Sequence, residues 1–163
     1  MTTSDVTWTV RQQQDVAVVH GLLGADQIAE FLGGAFAEVM SVAAEQGRRV
    51  TGAPFARYRP VEAGAFEVQA GFPLDAPLIA QGRVEPSTLP GGPAASVVHR
   101  GPYETVPAAY EIAIRAVEES GGRVTGSPWE CYLDPPGVVE PRTEVVVPYA
   151  EAEPAVDRSP TAS

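Results

Sequence analysis

One carboxylate set between aromatic rings offers the clearest chemistry in the sequence. Gly126 to Pro135 reads GSPWECYLDP, with Glu130 between Trp129 and Tyr132 in a stretch whose Trp, Cys, Tyr and Leu favour a pleated strand. Strand alternation puts Glu130 and Tyr132 on one face and Trp129, Cys131 and Leu133 on the other. A Glu among apolar neighbours is costly to bury without a partner, so it either sits at an exposed edge or is kept for a purpose. Desolvation would raise its pKa, and a bound cation would lower it again. A flat cation stacked on Trp or Tyr faces gains roughly 0.5 to 2 kcal/mol per contact. With its pKa lifted toward neutrality, the same carboxyl suits a general base.

The other reactive residue types lead elsewhere. His20 and His99 each follow a Val-Val pair at what reads as matching strand ends, and without a nearby carboxylate or thiol motif they make no metal site. Cys131 is the only cysteine, which excludes an intrachain disulfide and a cysteine zinc cluster; by alternation it faces away from Glu130. Gly33-Gly34 and Gly91-Gly92 lack the context of a phosphate-cradling loop, and no Ser-His-Asp signature is present. The expectation is a site with no metal and no cofactor.

Composition narrows the partners. The 163 residues suit one domain, and a formal net charge of −10 repels nucleic acid and anionic membrane while favouring cationic ligands. The start MTTSDVTWTV has neither a basic n-region nor an apolar h-region, and no apolar run is long enough to span a membrane. A soluble, cytoplasmic protein is expected.

The elements that must position Glu130 occur twice. Val6 to His20 reads as one strand, open to interruption at the glutamines. Gly24 to Gly47 carries Ile28, Phe31, Leu32, Ala35, Phe36, Val39 and Ala43 at helical spacing, with Gly33-Gly34 read as close packing against a sheet and Gly47 as a stop. Phe55 to Arg59 and Phe66 to Phe72 follow as strands. The Pro- and Gly-rich residues 75–93 read as a connector without an element of its own. Then come a strand over Ala94 to His99, a helix within Thr105 to Ser120 that accepts Pro107 in its first turn, and strands over Pro128 to Leu133 and Thr143 to Tyr149; residues 150–163 read as a disordered tail.

The recurrence is visible in letters. Arg49-Val50-Thr51-Gly52-Ala53-Pro54-Phe55-Ala56-Arg57-Tyr58 aligns without a gap on Arg123-Val124-Thr125-Gly126-Ser127-Pro128-Trp129-Glu130-Cys131-Tyr132, and Val18-Val19-His20 on Val97-Val98-His99. The predicted fold class is α+β: a single domain over 1–163 built as a duplicated βαββ module, repeat 1 about 6–74 and repeat 2 about 94–149. Two such copies pack about a pseudo-twofold axis and leave a concave seam for a small ligand between them; the expected architecture is a curved antiparallel sheet with two long helices and that groove. Phe55 answers to Trp129 and Tyr58 to Tyr132, whereas Ala56 answers to Glu130. One half supplies a charge, the other room.

On Pro54-Phe55-Ala56-Arg57-Tyr58, Phe66 to Pro73, Leu89-Pro90-Gly91-Gly92, His99-Arg100-Gly101-Pro102-Tyr103, Pro128 to Tyr132 and Arg142 to Val145, the sequence resembles the GyrI-like small-molecule-binding domain of AraC-type and MerR-type regulators. The resemblance implies an aromatic groove between the halves with Glu130 as its central acid. The expected ligand-binding residues are Glu130, Tyr132, Trp129, Tyr58, Phe55, Tyr103 and Tyr110, although Tyr110 also lies on the buried stripe of its helix. In drug-sensing members the matching carboxylate is similar in role to a counter-ion for lipophilic cations; other stand-alone members are similar to hydrolases that open cyclopropane-bearing natural products. The first reading is therefore a protein that binds lipophilic aromatic or cationic small molecules, in sequestration or sensing. The alternative is a hydrolase in which Glu130 is the general base and Tyr132 orients the water. No helix-turn-helix precedes the repeat, which points away from a direct role in transcription.

Overall fold

The computed structural model describes residues 5–62, 64–135 and 137–151. The chain runs β1 (Thr7–Arg11), β2 (Gln14–Gly24), a 3-10 turn and α1 (Ile28–Glu45), β3 (Phe55–Pro60), β4 (Ala65–Pro73), β5 (Glu85–Leu89) and β6 (Gly92–Arg100). A second 3-10 turn (Tyr103–Thr105) then leads into α2 (Val106–Glu119), followed by β7 (Arg123–Val124), β8 (Trp129–Tyr132) and β9 (Arg142–Ala150). The sheet is antiparallel and curls into a half-barrel in the order β1-β6-β9-β8-β3-β4-β2-β5, with the short β7 attached to β9. The expected α+β class and duplicated module are present.

The duplication is exact in register. Adding 74 carries β3 onto β8, and adding 75 carries β4 onto β9: Phe55 faces Gly71 as Trp129 faces Val146, and Tyr58 faces Val68 as Tyr132 faces Thr143. β3 and β8 meet at the centre, where Ala56 faces Glu130, so the pseudo-twofold axis passes between the alanine of one repeat and the carboxylate of the other.

Each helix covers its own repeat on the face that carries Glu130. α1 buries Ala35, Val39, Val42 and Ala43 against Ala17, Val19, Ala56, Ala70 and Phe72. α2 buries Val106, Ala109, Ala113 and Val117 against Ala95, Val97, Val145 and Val147. Gly47 and Gly121, at φ 71° and 88°, take the left-handed conformation that ends each helix. The far face of the sheet encloses a third core of Val16, Val18, Phe55, Leu89, Ala94, Trp129 and Val146.

Four expectations are corrected. The connector over 75–93 contains a strand, β5, whose Glu85–Leu89 pairs with β2. It is the counterpart of β1, which breaks from β2 at Gln12-Gln13 and pairs with β6 in the opposite repeat. The two breaks touch: a Cβ on Gly91 would lie 2.8 Å from the backbone N of Gln13 and 3.0 Å from the carbonyl of Arg11, so only glycine fits. Gly33 and Gly34 do not mark close packing, since a Cβ on either would meet nothing within 4 Å. The histidines are not equivalent: His20 pairs with Gln69 but Gly21 with Val68, while His99 pairs with Thr143, so the true counterpart of His99 is Gly21. Sliding the alignment by one residue moves a side chain to the other face. Of the expected tail, Ala150 closes β9 and residues 152–163 lie outside the described residues.

Candidate functional site

A single row of side chains crosses the sheet through the axis: Val19, Ala70, Ala56, Glu130, Val145, Val97. Five are apolar and at most 1% exposed; the sixth is Glu130, at 8%. Strand pairing forces this position on the carboxylate, because residues directly opposite one another share a face. Among the described residues no Arg forms an ion pair with it. Arg142 binds Asp134 at 2.8 Å and Arg11 binds Glu144 at 3.0 Å, while Arg59 pairs with Glu67 and Arg83 with Glu38.

Phenols take the place of a basic partner. Tyr110, from α2, donates to Glu130 Oε2 at 2.6 Å, and Tyr132, two residues along β8, donates to Oε1 at 2.8 Å. The Tyr58 and Tyr132 hydroxyls lie 2.9 Å apart. Since the Tyr132 proton goes to Glu130, Tyr58 must be the donor to Tyr132. With Glu130 ionised, the chain thus runs from Tyr58 to Tyr132 to Glu130, with Tyr110 donating to the other oxygen. Burial raises the Glu130 pKa above the ordinary carboxylate range, and the two phenol bonds partly offset that rise. Burial and the nearby Glu130 charge push all three tyrosines upward, so they stay protonated donors.

Aromatic edges close the cluster. Phe36 of α1 stands edge-on to Tyr132 (centroids 6.1 Å apart, 60°) and to Phe72 (5.6 Å, 64°). Tyr103, half exposed in the 3-10 turn before α2, stands at 6.1 Å and 89° to the same Tyr132 ring. That turn is tied down by His99, whose Nε2 lies 2.8 Å from Thr105 Oγ1, while the Thr105 hydroxyl donates to the Pro102 carbonyl at 2.9 Å. Two surface hollows, of about 360 Å³ beside Ile112 and Arg115 and about 330 Å³ beside Trp8 and Tyr149, do not reach Glu130. Tyr110 and Tyr132 contact the carboxylate directly, and Phe36 and Tyr103 flank the Tyr132 ring.

Of the seven residues expected at the site, Glu130, Tyr132, Tyr58 and Tyr110 share one hydrogen-bonded chain, and Tyr103 stands at its edge. Trp129 and Phe55 do not join them. At 2% and 1% exposed they belong to the far-face core, because alternation turns them away from Glu130 and the curled sheet then encloses them. Cys131 lies there too, its thiol pushed up to about 12 mainly by burial. Phe36 is not among the residues expected at the site; its place on the helical stripe is the only sequence signal for it, and that signal is shared with every core residue of α1.

The chain matches the GyrI-like small molecule binding domain over residues 18–150. It belongs to that family. The GyrI-like fold is shared with the EcmrR C-terminal domain (TM-score 0.79, 18% identity, covering 93% of this chain and 100% of that one). It is shared too with EcmrR in a DNA complex (TM-score 0.77, 19% identity, 92% of this chain), of which this chain spans 58%. SAV2435 bound to tetraphenylphosphonium (TM-score 0.63, 12% identity, 90% and 94% covered) and a hydrolase from Listeria innocua (TM-score 0.60, 14% identity, 89% and 91% covered) have the same architecture. No curated protein sequence matches the chain. As a GyrI-like domain it binds small molecules, and no helix among the described residues is long and apolar enough to cross a membrane.

Proposed function

We propose that this GyrI-like domain binds lipophilic aromatic cations, with Glu130 as the counter-ion and Tyr58, Tyr103, Tyr110, Tyr132 and Phe36 as the wall around it. The observation that carries this reading is a buried carboxylate held by two phenols and by no basic side chain among the described residues. Such an anion has its hydrogen bonds satisfied but its charge uncompensated, which an entering cation remedies. Tyrosine faces then add cation–π attraction, and the protein's net charge of −10 raises the local cation concentration. Entry requires the rings over Glu130 to part, beginning with the exposed Tyr103. SAV2435, of the same fold, was solved bound to tetraphenylphosphonium, which makes that cation the natural first probe. Calorimetric titration with tetraphenylphosphonium tests the reading: saturable binding that Glu130→Gln weakens supports it, and absence of binding at millimolar cation rejects it.

A second reading is favoured by the Tyr58–Tyr132–Glu130 chain, which could move a proton. Here Glu130 takes a proton from a water whose oxygen attacks a strained cyclopropane carbon, while the breaking C–C bond leaves its electron pair on the conjugated acceptor of the substrate. A Listeria innocua neighbour of the same fold is named a hydrolase. Mass spectrometry after incubation with a cyclopropane-bearing alkylating natural product tests this; a water adduct formed equally by Glu130→Gln would dismiss the mechanism.

A further inference from the structure

Beside the Glu130 row runs a second one, and its two copies differ in a telling way. In repeat 1 it reads Gly21, Val68, Tyr58; in repeat 2 it reads His99, Thr143, Tyr132. Val68 and Thr143 are equivalent positions, both 0% exposed, and differ only by a methyl against a hydroxyl. Repeat 1 therefore demonstrates that valine satisfies the fold at this place. Repeat 2 nevertheless carries a hydroxyl, and among the described residues Thr143 Oγ1 is buried without a hydrogen-bond partner. Its row neighbours are engaged elsewhere: the Tyr132 hydroxyl with Glu130 and Tyr58, and His99 Nε2 with Thr105 and Pro102. A buried hydroxyl left unpaired lowers stability, while an apolar group of the same shape does not. Glu130 against Ala56 shows the same asymmetry, again with the polar member in repeat 2.

We infer that Thr143 is a specificity-determining residue of the cation site, its hydroxyl reserved for a hydrogen-bonding group on the ligand. The inference rests on the cation-binding reading above and narrows the ligand class: an aromatic cation carrying an alcohol, amine or carbonyl a fixed distance from its positive centre. Thr143 and Glu130 are diagonal neighbours, since Glu130 faces Val145 and Thr143 lies two residues before it, which sets their separation at about 7 Å. Opening the rings over Glu130 to admit a cation exposes this flank of Tyr132 to the same guest. A hydroxyl can donate or accept, so either polarity on the ligand serves.

The test uses two phosphonium probes of equal size, (4-hydroxymethylphenyl)triphenylphosphonium and (4-ethylphenyl)triphenylphosphonium, titrated into wild type, Thr143→Val and Thr143→Ser. Wild type should favour the alcohol over the ethyl probe about five- to tenfold more than Thr143→Val does, with the ethyl probe bound alike by both proteins and Thr143→Ser restoring the preference. An equal preference in wild type and Thr143→Val overturns the inference while leaving the cation reading intact. Failure of wild type to bind either probe overturns the cation reading itself, and the inference with it. Thermal unfolding supplies a check free of ligand: Thr143→Val should melt at or above the wild-type temperature. A melting temperature lower by more than about 3 °C would mean that the hydroxyl has a structural partner, which also overturns the inference.

Discussion

Replacing Glu130 by Gln removes a charge while keeping the side chain's shape and one acceptor for the phenols. A cation centred about 5 Å from the carboxylate, at an effective dielectric of about 20, gains about 3 kcal/mol from it. That is about a hundredfold in Kd for tetraphenylphosphonium. The effect belongs to the ionised carboxylate, whose pKa is raised by burial, so a proton competes with the cation. Wild-type affinity should therefore climb as pH rises through that raised pKa and then level off, whereas the Gln variant should show a flat profile. Calorimetric titration across pH 5 to about 9, with triphenylphosphine oxide as a neutral control of similar shape, reads both effects. The control should bind wild type and variant within about twofold of each other. A Glu130→Gln protein that binds the phosphonium within about threefold of wild type, or that loses the neutral control equally, would refute the electrostatic argument.

Three further outcomes follow from the geometry. Tyr132→Phe removes a donor to Glu130 and the acceptor of Tyr58, so it should lower stability by about 1.5 to 3 kcal/mol, against about 1 for Tyr58→Phe, as read from urea unfolding at pH 7. Trp129→Phe, in the far-face core, should cost about 1 to 3 kcal/mol in urea unfolding yet leave the affinity of the folded protein within about twofold. Because the folded state binds the Glu130 proton more tightly than the unfolded chain does, stability should fall as pH rises from the ordinary carboxylate pKa to the raised one and stay level beyond it. Urea melts of wild type and Glu130→Gln should differ by that slope; identical slopes would contradict it.

The duplicated module and the central acid were legible because both are written in local pattern: a ten-residue repeat, two helical stripes, and a glutamate in one copy where the other has alanine. Alternation within β8 likewise separates Tyr132 from Trp129, although the sequence leaves Trp129 open as either core or pocket wall. What stayed hidden depends on register between distant strands. The pairing of β5 with β2 and of β1 with β6 exchanges edges between the repeats, and nothing in either short strand names its partner. The one-residue error at His20 had the same origin, since two valines align equally well in either register and only the pairing of Gly21 with Val68 decides. Tyr110 sat on a helical stripe like any core residue; its hydroxyl, reaching Glu130 from another element, is a tertiary fact.

Glu130 is a buried carboxylate held by two phenols and, among the described residues, by no ion pair, and the proposed cation site turns on that charge. Following the Glu130 side-chain carboxyl carbon by NMR through a pH titration, with and without saturating tetraphenylphosphonium, measures this directly. The account predicts a midpoint above that of ordinary carboxylates in the free protein, moving down when the cation binds. An ordinary midpoint that the cation leaves unmoved would contradict it.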